Sequence, residues 1–204
     1  MTEMKKNLTR TRRLALTGAF AALVIVLGIT KLGFITLGPT VSITILHVPV
    51  ILICMLAGLP EGLFVGATFG LLSLIQASMN PSTLLDPLFV NPLFSVVPRM
   101  LVAVVAWGLW KLLNLIPHMP KAVSAAITGF LSTLAHTLLV IGFIYMFKGA
   151  YIREALGGVG YFGFIAMLGM NVIFEALAAT IICVAVYAGL FIAGSRKSKL
   201  SQEE

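Results

Sequence analysis

The sequence predicts an all-α integral membrane protein with six transmembrane helices. Of its 204 residues, 59% are hydrophobic and 10% are charged, and the mean hydropathy is +1.06. A soluble domain carries about a quarter charged residues, so this composition indicates a chain that lies largely in lipid. Two further observations support this fold class: the chain contains six apolar runs, and its basic residues lie mainly at the two ends.

The apolar runs cover about residues 14–30, 43–59, 61–79, 92–113, 122–147 and 161–193. Each has at least the roughly 17 residues that a transmembrane helix needs, and the last is long enough to tilt or protrude. Pro49 predicts that the second helix either kinks there or begins there. Residues 58–62 predict a tight turn in which Pro60 starts a helix, and polar, glycine-rich or proline-rich stretches predict loops at about 33–42, 80–91, 114–121 and 148–160.

The distribution of lysine and arginine predicts the orientation. Six spans place both termini on one side, and the basic residues of the tails and of the short loop at 114–121 lie on that side, whereas the other side has four. Because cytoplasmic loops carry the excess of basic residues, both termini are predicted to be cytoplasmic. The predicted organisation is a basic tail (1–13), one transmembrane domain (14–193) and a second tail (194–204). Topology thus explains the net charge of +7, and no nucleic-acid partner is expected.

Residues 86–99 contain the most informative charge. The stretch begins with Asp86, which falls in an external loop as a rim or lid, and it ends with Arg99 in the outer third of the fourth span. An arginine at that depth is costly unless it faces a cavity or a partner, and the alternative is a side chain that snorkels to the headgroups. Pro98 predicts a local break that frees a backbone carbonyl, which favours the cavity.

A second group of polar residues lies on the fifth and second spans. Thr128, Ser132 and His136 recur every four residues and share a helix face, so they form either a cavity wall or polar contacts between helices. His47 lies at the outer end of the second span, where it is either part of the chamber or an ordinary interfacial histidine.

The last span carries Asn171 and Glu175 on one face. Glu175 is the only acid deep inside an apolar run, so it is either functional or a structural partner of Arg99 or His136. These groups lie at outer or middle depth, which predicts a polar chamber open to the outside. The candidate substrate-binding residues are His47, Gln76, Asn91, Arg99, His136, Asn171 and Glu175.

Several chemistries have no motif in this chain. It has no P-loop, no His-Glu-x-x-His motif and no evident pair of nucleophile and base, and Cys54 and Cys183 are not spaced as a metal site. We therefore expect a protein that is not an enzyme, with no catalytic or metal-binding residues and no ATPase motif of its own.

Small residues mark one face of the first span. Residues of this size at spacings of three and four let another helix approach closely, either within the bundle or from another protein. The four positions are Ala15, Gly18, Ala19 and Ala22.

Three stretches carry a family resemblance: His47-Val-Pro-Val, the glycine-rich run from Gly58 to Leu71, and the run from Pro87 to Arg99. They resemble the substrate-binding S components of energy-coupling factor (ECF) vitamin transporters. The resemblance covers about residues 10–193, and it is greatest for the branch that includes pantothenate, hydroxymethylpyrimidine and pyridoxine binders.

The resemblance implies an S-component fold and a mechanism. An S component in the plasma membrane of a prokaryote would capture a water-soluble vitamin from outside with high affinity, and the loop at about residues 32–42 would gate the site. The pair Ala15 and Ala19 is similar to the family's first-helix motif, which docks on a transmembrane T component. Two ATPases would complete the importer, so the chain needs no cofactor and ATP is used by its partners.

Pantothenate is the first expectation for the substrate, because a guanidinium such as that of Arg99 binds a carboxylate through two parallel hydrogen bonds. Glu175 disfavours an anion unless it is paired or protonated, which keeps pyridoxine, hydroxymethylpyrimidine or another vitamin as alternatives. A different class of function is a proton-coupled secondary transporter with Glu175 and His136 as relay groups.

Overall fold

The computed structural model describes residues 9–30, 32–36, 42–81, 85–155 and 157–200. Within these ranges the chain forms eight helices and one β-hairpin. In chain order they are α1 (Arg10–Ile29), β1 (Phe34–Thr36), β2 (Ser42–Thr44), α2 (His47–Leu56), α3 (Leu59–Met79), α4 (Asp86–Phe89), α5 (Pro92–Ser95), α6 (Val97–Leu113), α7 (Lys121–Ala155) and α8 (Tyr161–Leu200).

Five stretches are long and apolar enough to cross a membrane: α1, α3, the pair α5–α6, α7 and α8. The remaining apolar helix, α2, has 10 residues. The predicted all-α membrane fold is confirmed. The count of six spans and the cytoplasmic position of both termini stay predictions.

The second predicted span is shorter than the sequence indicated. Residues 42–44 do not enter the helix, because they pair with β1 in an antiparallel hairpin that sets Phe34 opposite Thr44. Helix α2 then starts at His47, so Pro49 falls in its first turn, where the missing N–H costs no intrahelical hydrogen bond. Of the two alternatives for Pro49, the structure therefore has the helix start.

The helices of the fifth and sixth predicted spans continue past the predicted ends of those spans. Helix α7 breaks at Lys148 (φ −132°, ψ 23°) but continues to Ala155, so most of the predicted loop at 148–160 is helical. The second part of α7 is held by Ile152, which is fully buried in an apolar cluster with Phe164. Helix α8 extends through Leu200, past the predicted end at 193, and α4 lies within the predicted loop at 80–91. Residues 1–8, 31, 37–41, 82–84, 156 and 201–204 lie outside the described residues. They include parts of both predicted tails, of the predicted gate and of two predicted loops.

Helix α2 forms the centre of the bundle. All ten of its residues are buried, and α1, α3, α6, α7 and α8 pack around it. A helix that is apolar on every side is stable when it is surrounded in this way. The short helix therefore acts as the core against which the longer helices are placed.

Two glycines of α3 let the α5–α6 segment approach closely. A Cβ atom on Gly66 would lie 2.8 Å from the carbonyl oxygen of Arg99, and one on Gly70 would lie 2.5 Å from the Cα of Val96. The backbone of Arg99 is thus placed beside the middle of α3, and its predicted position in the outer third of a span stays a prediction.

Candidate ligand-binding cavity

A cavity of about 830 Å³ lies between the hairpin, α1, α3, α4, α6, α7 and α8. Its volume is within the range of about 300–1,000 Å³ that is typical of small-molecule sites. Most of its wall is apolar. Five of the predicted substrate-binding residues line it: Gln76, Arg99, His136, Asn171 and Glu175.

Arg99 is held by a backbone carbonyl. Its Nη1 donates a hydrogen bond to the carbonyl oxygen of Phe94 at 2.6 Å, and the side chain is only 6% exposed. In a continuous helix that carbonyl would accept from the N–H of residue 98, but Pro98 has none. The proline therefore frees the acceptor that fixes the guanidinium, and an arginine buried inside the bundle does not snorkel to the headgroups.

Two aromatic rings cover the guanidinium. Its Cζ atom lies 4.7 Å from the centre of the Phe89 ring and 5.4 Å from that of Phe69. Such contacts stabilise a cation without neutralising it. Nε of Arg99 is buried and has no hydrogen-bond partner, and no carboxylate among the described residues lies within ion-pairing distance. Asp86 and Glu175 line the same cavity, but no described carboxylate pairs directly with the guanidinium, and the cavity has space for a ligand beside it.

Glu175 is connected to the hairpin. Its Oε1 accepts a hydrogen bond from the backbone N–H of Thr44 at 2.6 Å, and its side chain is 6% exposed. The structure therefore shows neither of the two structural pairings considered for this acid, with Arg99 or with His136. Glu175 instead joins β2 to α8 at the edge of the cavity.

The two histidines form a stacked pair with different roles. Their ring centres are 5.0 Å apart and the ring planes differ by 17°. Nε2 of His47 lies 2.9 Å from Oγ1 of Thr133, whose own proton goes to the carbonyl oxygen of Gly129, so His47 is the donor. His47 supports His136 from behind and does not line the cavity. His136 lines it, and neither of its ring nitrogens has a partner within the described part of the chain.

The remaining predicted residues lie in several places. The Gln76 amide donates to the carbonyl oxygen of Gly28, so it also fastens α3 to α1. Asn171 lines the cavity one turn before Glu175. Asn91 lies outside the cavity lining, because its side chain caps α5 by accepting from the N–H of Leu93 at 2.9 Å.

The polar face of α7 serves both as contacts between helices and as part of the cavity wall. Thr128 and Ser132 are buried between helices, and the Thr128 hydroxyl donates to the carbonyl oxygen of Ser124. His136, one turn further on, reaches the cavity.

Several residues around Arg99 and the cavity were not singled out from the sequence. Phe69 and Phe89 both cover Arg99, and Phe89 also lines the cavity. Phe69, Ser73 and Gln76 share one face of α3, because they follow one another at intervals of four and three residues. Since Gln76 was already a candidate, the same face would have indicated Phe69 and Ser73. Thr44 gave no such signal, because its contact with Glu175 depends on the hairpin. Asp86, which was predicted as rim or lid, starts α4 and lines the cavity.

The small-residue face of α1 is open. Gly18 has no atom within 4 Å of the position where a Cβ would lie, and the face as a whole is exposed rather than packed inside the bundle. Its members are Ala15, Gly18, Ala19 and Ala22.

Comparison with known proteins gives one family and two relatives. A profile of the family described as "ECF transporter, substrate-specific component" matches residues 12–191. The chain is 30% identical to the pantothenate transporter PanT of Leuconostoc mesenteroides over 190 residues, which are 87% of this chain and 91% of that protein. It is 26% identical to the pantothenic acid transporter PanT of Lactococcus lactis over 202 residues, which are 92% of this chain and 96% of that protein.

Proposed function

Because the chain belongs to the family of substrate-specific components of ECF transporters, and is a multi-pass protein of a prokaryotic plasma membrane, we propose that it binds pantothenate as the S component of an ECF importer. Both relatives described above are named for pantothenate transport. At 30% and 26% identity, their names support a substrate for this chain only together with the chemistry of the cavity.

The surroundings of Arg99, which has no carboxylate of the described residues within ion-pairing distance, carry the proposal. Pantothenate has a carboxylate at one end, an amide in the middle, and at the other end two hydroxyls that flank a dimethyl carbon. A buried guanidinium fixed by one carbonyl and covered by two rings is suited to a carboxylate, because the ligand supplies the close countercharge that no described residue provides. Asn171 offers polar groups for the rest of the molecule, and the ring of His136 forms part of the wall.

Arg99→Ala tests this assignment. We expect the purified variant to lose about 3 kcal/mol of pantothenate binding, which is roughly 100-fold in Kd, because a charge-assisted pair is removed from a buried site. Calorimetric titration measures the Kd. Panthenol, in which the carboxylate is replaced by an alcohol, should bind the wild-type protein weakly, and the variant should no longer distinguish the two compounds.

Arg153→Ala is the matched control, since Arg153 is an exposed arginine of α7 that does not line the cavity. Its Kd for pantothenate should equal that of the wild type. If the wild-type protein binds pyridoxine or a hydroxymethylpyrimidine tightly and does not bind pantothenate, the assignment of the vitamin is wrong and one of those alternatives replaces it.

We further propose that a T component and two ATPases complete the importer, with the open small-residue face of α1 as the docking surface. Small residues allow the close helix approach that association in lipid requires. Replacing Ala15 and Ala19 with tryptophan should leave pantothenate binding unchanged and reduce uptake by reconstituted complexes to background.

Ile181→Trp, on the exposed side of α8, is the control for adding a tryptophan to a lipid-facing surface, and it should transport normally. Normal uptake by the Ala15/Ala19 variant would show that docking occurs elsewhere. Uptake by this chain alone, driven by a proton gradient without ATPases, would support the proton-coupled alternative.

A further inference from the structure

We propose that the cavity binds its ligand in one orientation, with Arg99 holding the carboxylate and Glu175 accepting hydrogen bonds from the hydroxyls at the other end. The inference rests on the pantothenate proposal and adds a specificity-determining residue to it. Glu175 then selects for a ligand with donors at one end, rather than acting against anions in general.

Arg99 and Glu175, a base and an acid, share this cavity without pairing, and Asp86 lines it as well. Arg99 and Glu175 are each 6% exposed and both line the same space, yet the ion pairs of the described residues do not join them. Opposite charges attract strongly in a medium of low dielectric constant, so each must be held apart from the other. Arg99 is held on α6 by the Phe94 carbonyl, and Glu175 is held on α8 by the Thr44 N–H.

The groups that remain available are complementary. Arginine only donates hydrogen bonds and a carboxylate only accepts them. Oε1 of Glu175 is occupied by Thr44, whereas Oε2 has no hydrogen bond from any described residue and is not sealed from the cavity. An anionic group is therefore drawn to Arg99, and a hydroxyl donor is suited to Oε2. Asn171, one turn from Glu175, has both a donor and an acceptor for the same end of the ligand.

The rest of the wall suits the apolar carbons of the ligand. Leu72, Val140, Ile141, Ile144, Leu168 and Val172 line the same cavity. Pantothenate has two methylenes between its carboxylate and its amide, and a dimethyl carbon between its two hydroxyls. These side chains bury both apolar segments while the polar groups face Arg99 and Glu175.

A comparison of two variants with two analogues tests the orientation. Glu175→Gln keeps a carbonyl oxygen for Thr44 but replaces the other acceptor with an NH₂ donor. It should weaken binding of pantothenate by roughly 10- to 100-fold, and change binding of the analogue without either hydroxyl by less than about twofold. Arg99→Ala should show the opposite pattern, with loss of sensitivity to the carboxylate and retained sensitivity to the hydroxyls. Thermal unfolding in detergent verifies that both variants are folded.

Glu154→Gln is the matched control, because it makes the same change at an exposed acid of α7 that does not line the cavity. It should leave the dependence on the hydroxyls unchanged. Equal weakening of both ligands by Glu175→Gln, no weakening of either, or the same hydroxyl effect from Glu154→Gln would overturn the orientation while leaving the pantothenate assignment in place. Absence of pantothenate binding by the wild-type protein would instead reject both.

Discussion

Arg13 and Arg99 are two arginines of one bundle with opposite surroundings. Nη2 of Arg13 lies 2.7 Å from Oε1 of Glu61 and 3.0 Å from the carbonyl oxygen of Ala57, and the side chain is 38% exposed. Arg99 is 6% exposed and has one carbonyl and two rings, with no acid partner among the described residues. The first charge is neutralised within the fold, where it joins α1 to the turn between α2 and α3.

The difference shows which cation is available to a ligand. An arginine with its own carboxylate gains little from a second anion. A buried cation without one costs several kcal/mol in desolvation, and an anionic ligand offsets that cost. The comparison therefore predicts that binding is sensitive to changes around Arg99, whereas changes around Arg13 affect stability.

Giving Arg99 a carboxylate should abolish the difference between the two arginines. Phe89→Glu places an acid where a ring now lies 4.7 Å from the guanidinium. Because the new side chain competes with the ligand for the same charge, we expect pantothenate affinity to fall by about 3 kcal/mol or more, roughly 100-fold. Calorimetric titration measures this loss.

Phe89→Gln separates the effect of the added charge on binding from the effect of losing the aromatic ring. It has nearly the same size as the glutamate variant but carries no charge, so it should cost only the cation–π contact, about 1 kcal/mol. If both variants weaken binding equally, the charge of Arg99 is not what holds the ligand.

Moving the backbone that fixes Arg99 should have the next largest effect. In Gly70→Ala, the added Cβ would lie 2.5 Å from the Cα of Val96 and 2.8 Å from the carbonyl oxygen of Ser95. Both are backbone atoms, which cannot move aside as easily as the end of a flexible side chain. We expect a loss of about 1–3 kcal/mol of unfolding free energy, together with weaker pantothenate binding. Thermal unfolding in detergent and titration measure the two quantities.

Gly108→Ala is the control, since no atom lies within 4 Å of its Cβ position. It should be neutral or stabilising by up to about 1 kcal/mol, because alanine favours a helix more than glycine does. Comparable destabilisation by both alanines would show that α5 does not depend on close contact with α3.

The sequence was sufficient for the membrane fold because that prediction depends on composition and on runs of apolar residues. It also predicted that Arg99 faces a cavity, since a proline next to a charged residue within an apolar run can be read directly from the sequence. The hairpin was missed because three-residue strands have no pattern of their own, and the start of α2 moved with it. The helical part of α7 after Lys148 was missed because polar and glycine residues there suggested a loop, while burial of Ile152 favours helix.

The surroundings of each site residue were harder to predict than the residues themselves. Asn91 was grouped with the candidate binding residues because of its predicted depth in the membrane. Its side chain instead caps the N-terminus of α5. His47 does not line the cavity, because its ring stacks on His136 and its Nε2 bonds to Thr133. Such outcomes depend on which helices meet, and a single sequence contains no direct record of those contacts.

Glu61→Gln tests the other arginine and should have the smallest effect. Removing the partner of Arg13 leaves a partly exposed cation that water still solvates, so we expect a loss of only about 0.5–1 kcal/mol of unfolding free energy. The Kd for pantothenate should not change, because the Arg13–Glu61 pair does not line the 830 Å³ cavity.

Arg13→Gln in the same background completes a double-mutant cycle. The double variant should be less stable than Glu61→Gln alone by no more than about 1 kcal/mol, the contribution of the hydrogen bond from Arg13 to Ala57, because the carboxylate partner is already gone. A large change in pantothenate affinity in either single variant would mean that the two ends of the bundle are coupled. Arg13 and Arg99 would then act through one conformational equilibrium rather than as a structural pair and a binding group.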